Sequence, residues 1–404
     1  MRRVVITGMG AIDALGHTAA DTWREMLAGR SAIGPVQAVP AEKLRAKVAA
    51  EVRGYEPSQH FDDKRLPMLD RTSQFALIAA REAVSQSGLD FRQGDLGERS
   101  AVIVGTGVGG ETSHDEAFRR LYGDNNPRVH PFTIVRVMAN APACHLSIEF
   151  GITGPAFGVV SACASSNHAF SQALQTLRAG SADVALAGGA EACITLGLTK
   201  AWEAMRVLAD DTCRPFCLQR RGLVLGEGSA IFVLEEYEHA RRRGATILAE
   251  LAGAGLSADA SDLVLPSQAG AVAALRRALK DAGLAPEQIG YINAHGTATP
   301  ANDPSESRAI REVFGAHADG LPVSSTKAVH GHALGAAGAL EMVAALGALR
   351  EQAVPPTANF LDPDPQCDLD YVPNAAREAK VEAVLSNSFA FGGLNAVVAV
   401  RSLR

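Results

Sequence analysis

The sequence predicts a layered α/β fold made of two similar halves. Apolar, strand-like runs alternate with helical patterns along the 404 residues of the chain. Most of these runs, such as "DVALAGG" at 183–189, contain no alternating polar residues, which is typical of strands covered on both faces. A loose repeat also relates the two parts of the chain. Together these observations indicate sheets lying between layers of helices.

The predicted strands end in a glycine or a polar turn. In chain order they are "VVITG", "AVIVGTG", "FGVVSA", "DVALAGG", "AIFVLEE", "YINAHG", "LPVSST" and "AVLSNS". Between them lie helical patterns such as "SQFALIAAREAVSQSG" and "AGAVAALRRALKDAG". We expect these two helices to end at Gly88 and Gly283, because glycine readily adopts the left-handed conformation that closes a helix.

The repeat pairs "GVVSACASSNHAFSQAL" with "LPVSSTKAVHGHALGAAGAL", each a strand, a Ser-rich turn and a helix of small residues. "DVALAGGAEA" and "EAVLSNSFAFGG" match in the same order. We place the division near residue 250, after the charged segment "EEYEHARRRG", which gives halves 1–250 and 251–404. Because no Pro/Gly/Ser-rich linker separates them, we expect the halves to pack tightly together.

Composition and charge exclude several classes of protein. The net charge is −6, and the longest basic run is Arg241 to Arg243, so a nucleic-acid partner is not expected. Six irregularly spaced cysteines do not form a disulfide framework, which favours a reducing cytoplasm. The N-terminal apolar run is broken by Thr7 and Gly8, unlike a signal peptide. The apolar segment 333–349 is short for a membrane span and contains Glu341, so we expect a helix buried in protein.

Cys163 lies where a predicted strand meets the start of a predicted helix, in "GVVSACASSNHAF". Unpaired backbone N–H groups and the positive end of the helix dipole favour a thiolate at such a position. A nucleophile that attacks thioesters or esters is therefore one interpretation. A buried, inert cysteine is the other.

Three polar residues in the second half are candidate partners for Cys163. His295 follows an apolar strand in "NAHGTATPANDPSE", at a strand end where sites are often built. Lys327 and His332 lie in "SSTKAVHGHALGAAG", an otherwise small and apolar segment where buried polar groups need partners. Convergence on Cys163 would supply those partners. A zinc site that adds His330 is less favoured, because residues two apart point to different sides of a helix.

Two glycine-rich motifs have alternative interpretations. "GTGVGG" at 105–110 satisfies a dinucleotide-binding pattern, but no acidic residue clearly ends the next strand, so we favour a tight turn that exposes the backbone. "SNSFAFGGLNA" at 386–396 places a strand before a glycine turn. A backbone N–H there, paired with that of Cys163, could form an oxyanion hole. "SACASS" lacks the G-x-nucleophile-x-G pattern of an α/β-hydrolase.

These motifs together resemble the elongating β-ketoacyl-[acyl-carrier-protein] synthases, of the condensing-enzyme family with the thiolase fold. The resemblance extends from "RRVVITGMGAIDALG" to the last strand "AVVAV". It implies a thiolase-like αβαβα fold of two pseudo-repeated halves. The Cys-His-His set with Lys327 is similar to the elongating branch rather than to the priming branch, which uses Cys-His-Asn. The sequence is also similar to the nodulation-type and polyene- or polyketide-type synthases.

The resemblance also implies roles for individual residues. Cys163 would accept the acyl chain, and His295 and His332 would bind the thioester carbonyl of malonyl-carrier protein during its decarboxylation. Lys327 would add positive charge and orient the histidines. Glu306 with Asp303 would hold Lys327 and its loop. The backbone N–H groups of Cys163 and Phe391 would form an oxyanion hole. The side chains that would line the acyl tunnel are those of Val108, Leu196, Phe389 and Ala390.

The sequence departs from the family pattern at three positions. Ala390 replaces a glycine between two phenylalanines, Leu394 replaces a threonine, and His330 replaces a threonine. A methyl group at Ala390 narrows the backbone angles, which is expected to restrain the gating motion of this loop. The departures bear on chain selectivity and gating rather than on the chemistry.

The resemblance implies an acyltransferase without a metal or redox cofactor, since the phosphopantetheine arm belongs to an acyl carrier protein acting in trans. A homodimer is expected, or a heterodimer with a chain-length factor. Synthesis of fatty acids and of specialised acyl chains are both open. Two alternatives are a non-condensing partner that shapes a neighbour's tunnel and a thiolase-like enzyme acting on coenzyme A esters. Cys163 favours a catalytic subunit.

Overall fold

The computed structural model describes residues 2–403. Fourteen strands occur in this range. In chain order they are β1 Val4–Asp13, β2 Gly34–Pro35, β3 Val48–Ala49, β4 Ser100–Gly105, β5 Ala156–Val159, β6 Val184–Glu191, β7 Gly228–Glu236, β8 Ala249–Ala258, β9 Tyr291–Asn293, β10 Val323–Ser324, β11 Ala353–Val354, β12 Arg377–Glu378, β13 Ala383–Ala390 and β14 Leu394–Arg401.

Twelve α-helices alternate with these strands in the described residues. They are α1 Ala19–Leu27, α2 Arg71–Ser87, α3 Glu111–Phe118, α4 Thr133–Val137, α5 Ala141–Phe150, α6 Ser165–Arg178, α7 Leu196–Ala204, α8 Tyr237–Arg242, α9 Gln268–Ala282, α10 Asn302–Phe314, α11 Lys327–His330 and α12 Ala337–Glu351. Helices α2 and α9 end as predicted at Gly88 and Gly283, which adopt positive φ values of 70° and 63°.

Ten of the strands form one sheet, and the two halves of this sheet have the same topology. The strand order is β10-β9-β13-β14-β8-β1-β7-β6-β4-β5. In each half, the two outermost pairings are parallel and the next two are antiparallel. The halves meet at β1 and β8, through the pairs Val5 with Glu250 and Ile6 with Ala249. The predicted repeat is therefore a repeat of sheet topology.

The helices form three layers, one on the outer face of each half of the sheet and one between the two halves. Helix α2 packs on β1 and β7 at one outer face, and α9 packs on β8 and β14 at the other. Helices α6 and α12 contact strands of both halves and form the central layer. This arrangement confirms the predicted αβαβα layering of two pseudo-repeated halves.

Helix α12 is buried on every side, as expected for segment 333–349. All of its residues from Ala337 to Leu349 are buried, and Gly347 leaves room for Trp23, whose ring would lie 2.2 Å from an added Cβ. Close packing of this kind requires small residues rather than an amphipathic stripe. Among residues 2–403, no helix combines the length and the apolar character needed to cross a membrane.

Strand β8 was not among the predicted strands because it is rich in glycine and alanine. Its glycines allow helix α9 to approach closely. A Cβ on Gly253 would lie 2.4 Å from the backbone N of Ala282, and one on Gly255 would lie 2.1 Å from the carbonyl oxygen of Ala274. Since β8 begins at Ala249, a division near residue 250 falls at the start of this strand. We retain that division as a proposal.

The repeat explains how distant parts of the sequence meet. Strand β5 leads through a turn into the central helix α6, and β10 leads through a turn into the central helix α12. The first turn contains Cys163, and the second contains His332. The two residues therefore lie near the starts of adjacent helices in the same layer, Cys163 within the 3-10 turn Ala162–Ala164 and His332 two residues before the 3-10 turn Leu334–Ala336.

Candidate active site

Cys163 lies in a 3-10 turn, Ala162–Ala164, directly before helix α6. The side chain is buried, and it is 6% exposed. Burial raises the pKa of the Cys163 thiol to about 12, although the nearby charge of Lys327 opposes this effect. The expectation of a resting thiolate is therefore wrong, because desolvation outweighs the favourable helix terminus. Cys163 is therefore a thiol, which must lose its proton before the sulfur can act as a nucleophile.

His332 is placed to exchange that proton. Its Nε2 atom lies 3.0 Å from the Sγ atom of Cys163. The backbone N–H of His332 donates to the carbonyl of Val224 at 2.7 Å, which fixes the turn. Burial and the charge of Lys327 hold the pKa of His332 well below its ordinary value. The imidazole is therefore neutral and can accept or donate a hydrogen bond.

His295 lies two residues beyond the end of β9 and faces His332 edge-on. The two ring centroids are 5.5 Å apart, and the ring planes are inclined by 83°. Burial, together with Lys327 and His332, holds the pKa of His295 well below its ordinary value. The site thus contains two neutral imidazoles beside one thiol. Their Nδ1 atoms have no hydrogen-bond partner among the described residues.

Lys327 is fully buried and connects the two histidine segments. Its Nζ atom donates to the carbonyl oxygen of His295 at 2.6 Å and forms an ion pair with Glu341. We expected Glu306, with Asp303, to hold Lys327, but the ion pair is with Glu341 of helix α12. The charge of Lys327 offsets the burial of Glu341, whose pKa nevertheless rises to about 6. The feature of the sequence that could have revealed Glu341 is a single carboxylate within an otherwise apolar helix.

Glu306 holds the backbone at His295 instead. Its carboxylate accepts the backbone N–H groups of His295 and Gly296, each at 2.8 Å, and the side-chain amide of Asn387 at 3.0 Å. This arrangement fixes the position of the imidazole through the main chain. Glu306 acts on the site through His295 and not through the lysine.

Asp303 stabilises a different loop. Its carboxylate accepts the backbone N–H of Phe216 at 2.7 Å. Phe216 has a φ of 62°, which is unusual for a residue with a bulky side chain. Burial raises the pKa of Asp303 to about 7. The carboxylate holds the strained segment that packs beside Gly296, where an added Cβ would lie 2.9 Å from the Phe216 ring.

The backbone is strained beside each of the three reactive side chains. Ala162, Ala298 and Leu334 have φ values of 49°, 63° and 41°. They lie next to Cys163, three residues after His295 and two residues after His332, respectively. Non-glycine residues rarely adopt this conformation, and it is often found at functional sites.

A cavity of about 300 Å³ opens onto Cys163, His295 and His332. Phe391 stacks on Trp202 at its wall, with ring centroids 5.7 Å apart. Further lining residues are Arg206, Thr297, Phe389 and Ala390. Neither Trp202 nor Arg206 was predicted, since no motif in the sequence distinguishes them.

Two of the residues expected to line the acyl tunnel lie outside this cavity. Val108 and Leu196 pack against the apolar cluster that contains Cys163, Ile194 and Ala390. Both therefore contact the cluster around Cys163 without lining the cavity. Their place in an acyl tunnel remains a prediction.

The reactive side chains also have the composition of a metal site. One ligand atom from each of Cys163, His295 and His332 lies within 4.8 Å of the others. Cysteine and histidine are common zinc ligands. His330 does not join them, because its Nε2 atom pairs with the hydroxyl of Thr326 at 3.0 Å. The prediction that the reaction needs no metal cofactor stays a prediction.

A layered αβαβα fold with a buried Cys-His-His site at the junction of its halves defines a condensing enzyme of the thiolase fold. Comparison with known families and structures identifies the family. Residues 1–240 match the family described as "Beta-ketoacyl synthase, N-terminal domain", and residues 248–361 match "Beta-ketoacyl synthase, C-terminal domain". The chain belongs to the β-ketoacyl synthase family.

Curated relatives cover the chain almost completely. Nodulation protein E of Rhizobium meliloti (strain 1021) is 50% identical over 100% of both chains. The 3-oxoacyl-[acyl-carrier-protein] synthase 2 of Coxiella burnetii is 42% identical over 98% of this chain and 97% of the relative. The family and these relatives make the chain a β-ketoacyl-acyl-carrier-protein synthase, an acyltransferase, and favour this function over the two alternatives.

Solved structures show the same fold. The ishigamide ketosynthase/chain length factor has a TM-score of 0.95 and 36% identity, with 100% of both chains covered. A type II PKS acyl-carrier protein in complex with its ketosynthase bound to the hexaketide has a TM-score of 0.89 and 32% identity, also with 100% of both chains covered. The predicted family and thiolase-like fold are therefore confirmed.

Proposed function

We propose that this ketosynthase elongates a specialised acyl chain, carried on a separate acyl carrier protein, and that Cys163, His295 and His332 perform the reaction. The single observation that carries the proposal is the contact of Cys163 Sγ with His332 Nε2 at 3.0 Å, with the His295 ring in the same buried cavity. These groups supply a nucleophile and two neutral hydrogen-bond donors within the reach of one thioester.

The first step is acyl transfer. The sulfur of Cys163 attacks the carbonyl carbon of the acyl thioester while its proton passes to His332, and the carrier thiol leaves with that proton. Backbone N–H groups of Cys163 and Phe391 are proposed to bind the oxyanion. Because burial holds the pKa of the thiol near 12, this transfer depends on the imidazole acting as a base.

The second step is decarboxylative condensation. After the acyl transfer, the ring proton of His332 moves from Nδ1 to Nε2 by exchange with solvent. His295 and His332 then donate Nε2–H bonds to the thioester oxygen of malonyl-carrier protein, and CO₂ departs to leave an enolate. The enolate carbon attacks the carbonyl carbon of the Cys163 thioester, and the sulfur leaves as a thiolate that takes a proton from solvent. Neutral imidazoles suit this role, because they stabilise the oxygen without donating the extra proton of an imidazolium to the carbanion. Lys327 and Glu306 position both rings.

A carrier protein is the proposed partner, and its phosphopantetheine arm is the only prosthetic group the reaction would need. Arg206 lies at the wall of the cavity with its side chain exposed. Its guanidinium makes no hydrogen bond or ion pair with any residue in 2–403. An unpaired cation there suits a phosphate or an acidic protein surface. The carrier-bound ketosynthase among the similar structures supports this partner.

A dimer is also proposed. Strand β5 is an edge strand of the ten-stranded sheet, and it and its neighbours present exposed apolar side chains. Phe157 is 39% exposed, Val160 57% and Ile148 70%. An uncovered apolar edge strand favours pairing with another chain. A second copy or a chain-length factor could occupy it, and with Cys163 this chain would be the catalytic subunit.

The specialised product is proposed from the pattern of relatives. Identity to nodulation protein E is 50%, against 42% for the synthase of Coxiella burnetii. Ala390 and Leu394 replace the residues usual for the family in the loop that lines the cavity. We also propose that the protein acts in the cytoplasm, where reduced cysteines are stable.

One experiment tests this proposal. The purified protein is incubated with saturated, polyunsaturated and aryl acyl-carrier proteins and then with malonyl-carrier protein, and intact-protein and product masses are measured. We expect an acyl mass on Cys163, β-ketoacyl products, and a preference for unsaturated or aryl primers. Broad saturated elongation would favour primary fatty acid synthesis. Absence of any acyl mass on Cys163 would favour the non-condensing partner, and equal use of coenzyme A donors would favour the thiolase-like alternative.

A further inference from the structure

Glu191, the last residue of β6, is a buried carboxylate with no assigned role in the reaction. Its side chain has no exposed surface. Among the described residues, no basic side chain forms an ion pair or hydrogen bond with it. A carboxylate in such a place is costly unless hydrogen bonds satisfy it.

Four donors surround the carboxylate, and they come from both halves of the protein. The backbone N–H groups of Gly107 and Val108 donate to it at 2.6 and 3.3 Å, and the hydroxyl of Thr106 donates at 2.9 Å. The N–H of Gly335, in the turn after His332, donates at 2.8 Å. The glycine-rich motif "GTGVGG" therefore wraps an internal carboxylate rather than a nucleotide phosphate.

The two loops touch with no space for side chains between them. A Cβ on Gly335 would lie 2.2 Å from the backbone N of Gly107, and a Cβ on Gly107 would lie 2.8 Å from the Glu191 carboxylate. The requirement for glycine at both positions follows from this contact. The carboxylate is thus the joint between the two loops.

The same turn is tied to the helix that carries the nucleophile. The carbonyl oxygen of Gly335 accepts the hydroxyl of Ser166, in the first turn of α6. Gly335 is therefore held on both sides: its N–H donates to Glu191, and its carbonyl oxygen accepts from Ser166 of the helix that follows Cys163. On the other loop, Val108 packs against the apolar cluster around Cys163.

We infer that Glu191 is a positioning residue that fixes the His332 turn against the loop bearing Val108, and so sets the contact between His332 and Cys163. The inference rests on the proposed roles of these two residues. A glutamine at position 191 has one oxygen and an NH₂ group, which would face an N–H donor and break the cradle. An aspartate keeps the charge but is one methylene too short to reach all four donors.

The test compares Glu191→Gln and Glu191→Asp with wild type. We expect kcat for condensation to fall about 10- to 100-fold in both variants, the effect of a displacement of about 1 Å in a reacting group. The KM for malonyl-carrier protein should rise less than kcat falls, because His332 supplies one of several contacts to the donor and its hydrogen bond strengthens as charge develops on the thioester oxygen. Glu82→Gln is the matched control. Glu82 also accepts backbone N–H groups, from Ala11 and Ala19, but on the outer helix α2, and its substitution should leave kcat unchanged.

A second measurement separates this role from a general loss of structure. Burial is the main cause of the raised pKa of Cys163, and the charge of Glu191 raises this pKa further. Glu191→Gln should therefore move the pH profile of Cys163 alkylation by iodoacetamide to lower pH. Glu191→Asp keeps the charge, so a change in its profile reports the disturbed contact between His332 and Cys163. Wild-type kcat in both variants would overturn the inference, as would equal alkylation profiles in all three proteins.

Two further outcomes are distinguished in advance. If Glu191→Gln does not fold, Thr106→Val and Thr106→Ser replace it: the valine removes one donor to the carboxylate and should lower kcat several-fold, and the serine should restore it. Wild-type kcat in Thr106→Val would then overturn the inference. If wild-type protein never acquires an acyl group on Cys163, the proposed function is wrong. If wild type and the variants react equally well, the proposed function stands and only the inference about Glu191 is wrong.

Discussion

The Nε2 atom of His332 lies 3.0 Å from the Sγ atom of Cys163, although 169 residues separate them in the chain. Each residue lies in the segment that leads into a helix of the central layer, α6 or α12, in one of the two repeated halves. The pseudo-symmetry of the fold thus brings a thiol and an imidazole into hydrogen-bond distance. The reactivity of the buried thiol depends on this contact.

Cys163→Ala is expected to abolish acylation and condensation but to leave decarboxylation of malonyl-carrier protein. The reason is that the two histidines that would bind the malonyl thioester are separate from the nucleophile. The measurements are intact-protein mass for acylation and CO₂ release for decarboxylation. Cys144→Ala, which changes a partly exposed cysteine in α5, is the control and should retain both activities. Loss of CO₂ release in Cys163→Ala would show that the sulfur takes part in decarboxylation.

Lys327→Met is expected to shift the acidic limb of the pH profile of acylation to higher pH. Lys327 lowers the pKa of both His295 and His332, so its removal lets the imidazoles protonate at higher pH. A protonated His332 cannot accept the thiol proton. The rate of Cys163 acylation is measured from about pH 4 to about pH 9, a range that spans the ordinary histidine pKa.

Glu341→Gln is the matched control for that variant. It removes the anion of the same buried pair and leaves the charge of Lys327 in place, so the acidic limb should not move to higher pH. A shift in the same direction for both variants would mean that disruption of the pair, and not the lysine charge, causes the effect.

His330→Gln tests the cost of burying a neutral histidine. Burial lowers the pKa of His330 to about 3, whereas the unfolded residue titrates near its ordinary value of about 6.5. Below that value the unfolded state binds a proton that the folded state does not, so the free energy of unfolding of wild type falls as the pH is lowered. Between pH 7 and pH 5, the titration of His330 should lower the free energy of unfolding of wild type by about 2 kcal/mol.

The comparison of the two proteins isolates that contribution. Glutamine can keep the bond to Thr326 but does not titrate. Buried carboxylates with raised pKa, such as Asp13 and Asp303, act in the opposite direction in both proteins and cancel. Urea unfolding at both pH values should therefore show wild type losing stability relative to the variant on acidification. A constant difference would contradict the expected titration.

Ala390→Gly restores the glycine usual in the family and should speed acylation of Cys163 by carrier proteins that bear long acyl chains. The methyl group of Ala390 packs into the apolar cluster around Cys163, and glycine would free the backbone there at a stability cost of about 0.5–1 kcal/mol. Ala383→Gly, at the other end of β13, should cost similar stability without changing the rate. Single-turnover acylation measures the effect, and an unchanged or slower rate would argue against restraint by Ala390.

Much of this fold could be predicted from sequence because its signals are local. The unbroken apolar runs and the terminal glycines Gly88 and Gly283 each act over a few residues. Strand β8 was missed because Gly253 and Gly255 are required by the close approach of helix α9, which lies elsewhere in the chain. The same limit applies to "GTGVGG", whose glycines make room for Glu191 and for Gly335 in the other half.

The reactive side chains could also be predicted, but their partners and ionisation could not. Cys163, His295, Lys327 and His332 lie in motifs that the sequence displays directly. The pairing of Lys327 with Glu341 rather than Glu306 depends on where the fold places α12 relative to Lys327. The neutral thiol of Cys163 follows from burial, which outweighs the effect of the helix terminus that the sequence showed.

The sequence by itself determined the layered α/β class, the repeat and the residues able to carry the chemistry, because apolar periodicity, turn residues and reactive side chains are properties of short segments. Tertiary structure alone decided which carboxylate neutralises Lys327, that Cys163 rests as a thiol, and that a glycine loop encloses Glu191. These features depend on distance and desolvation, and both arise only when segments far apart in the chain exclude water from a shared interior.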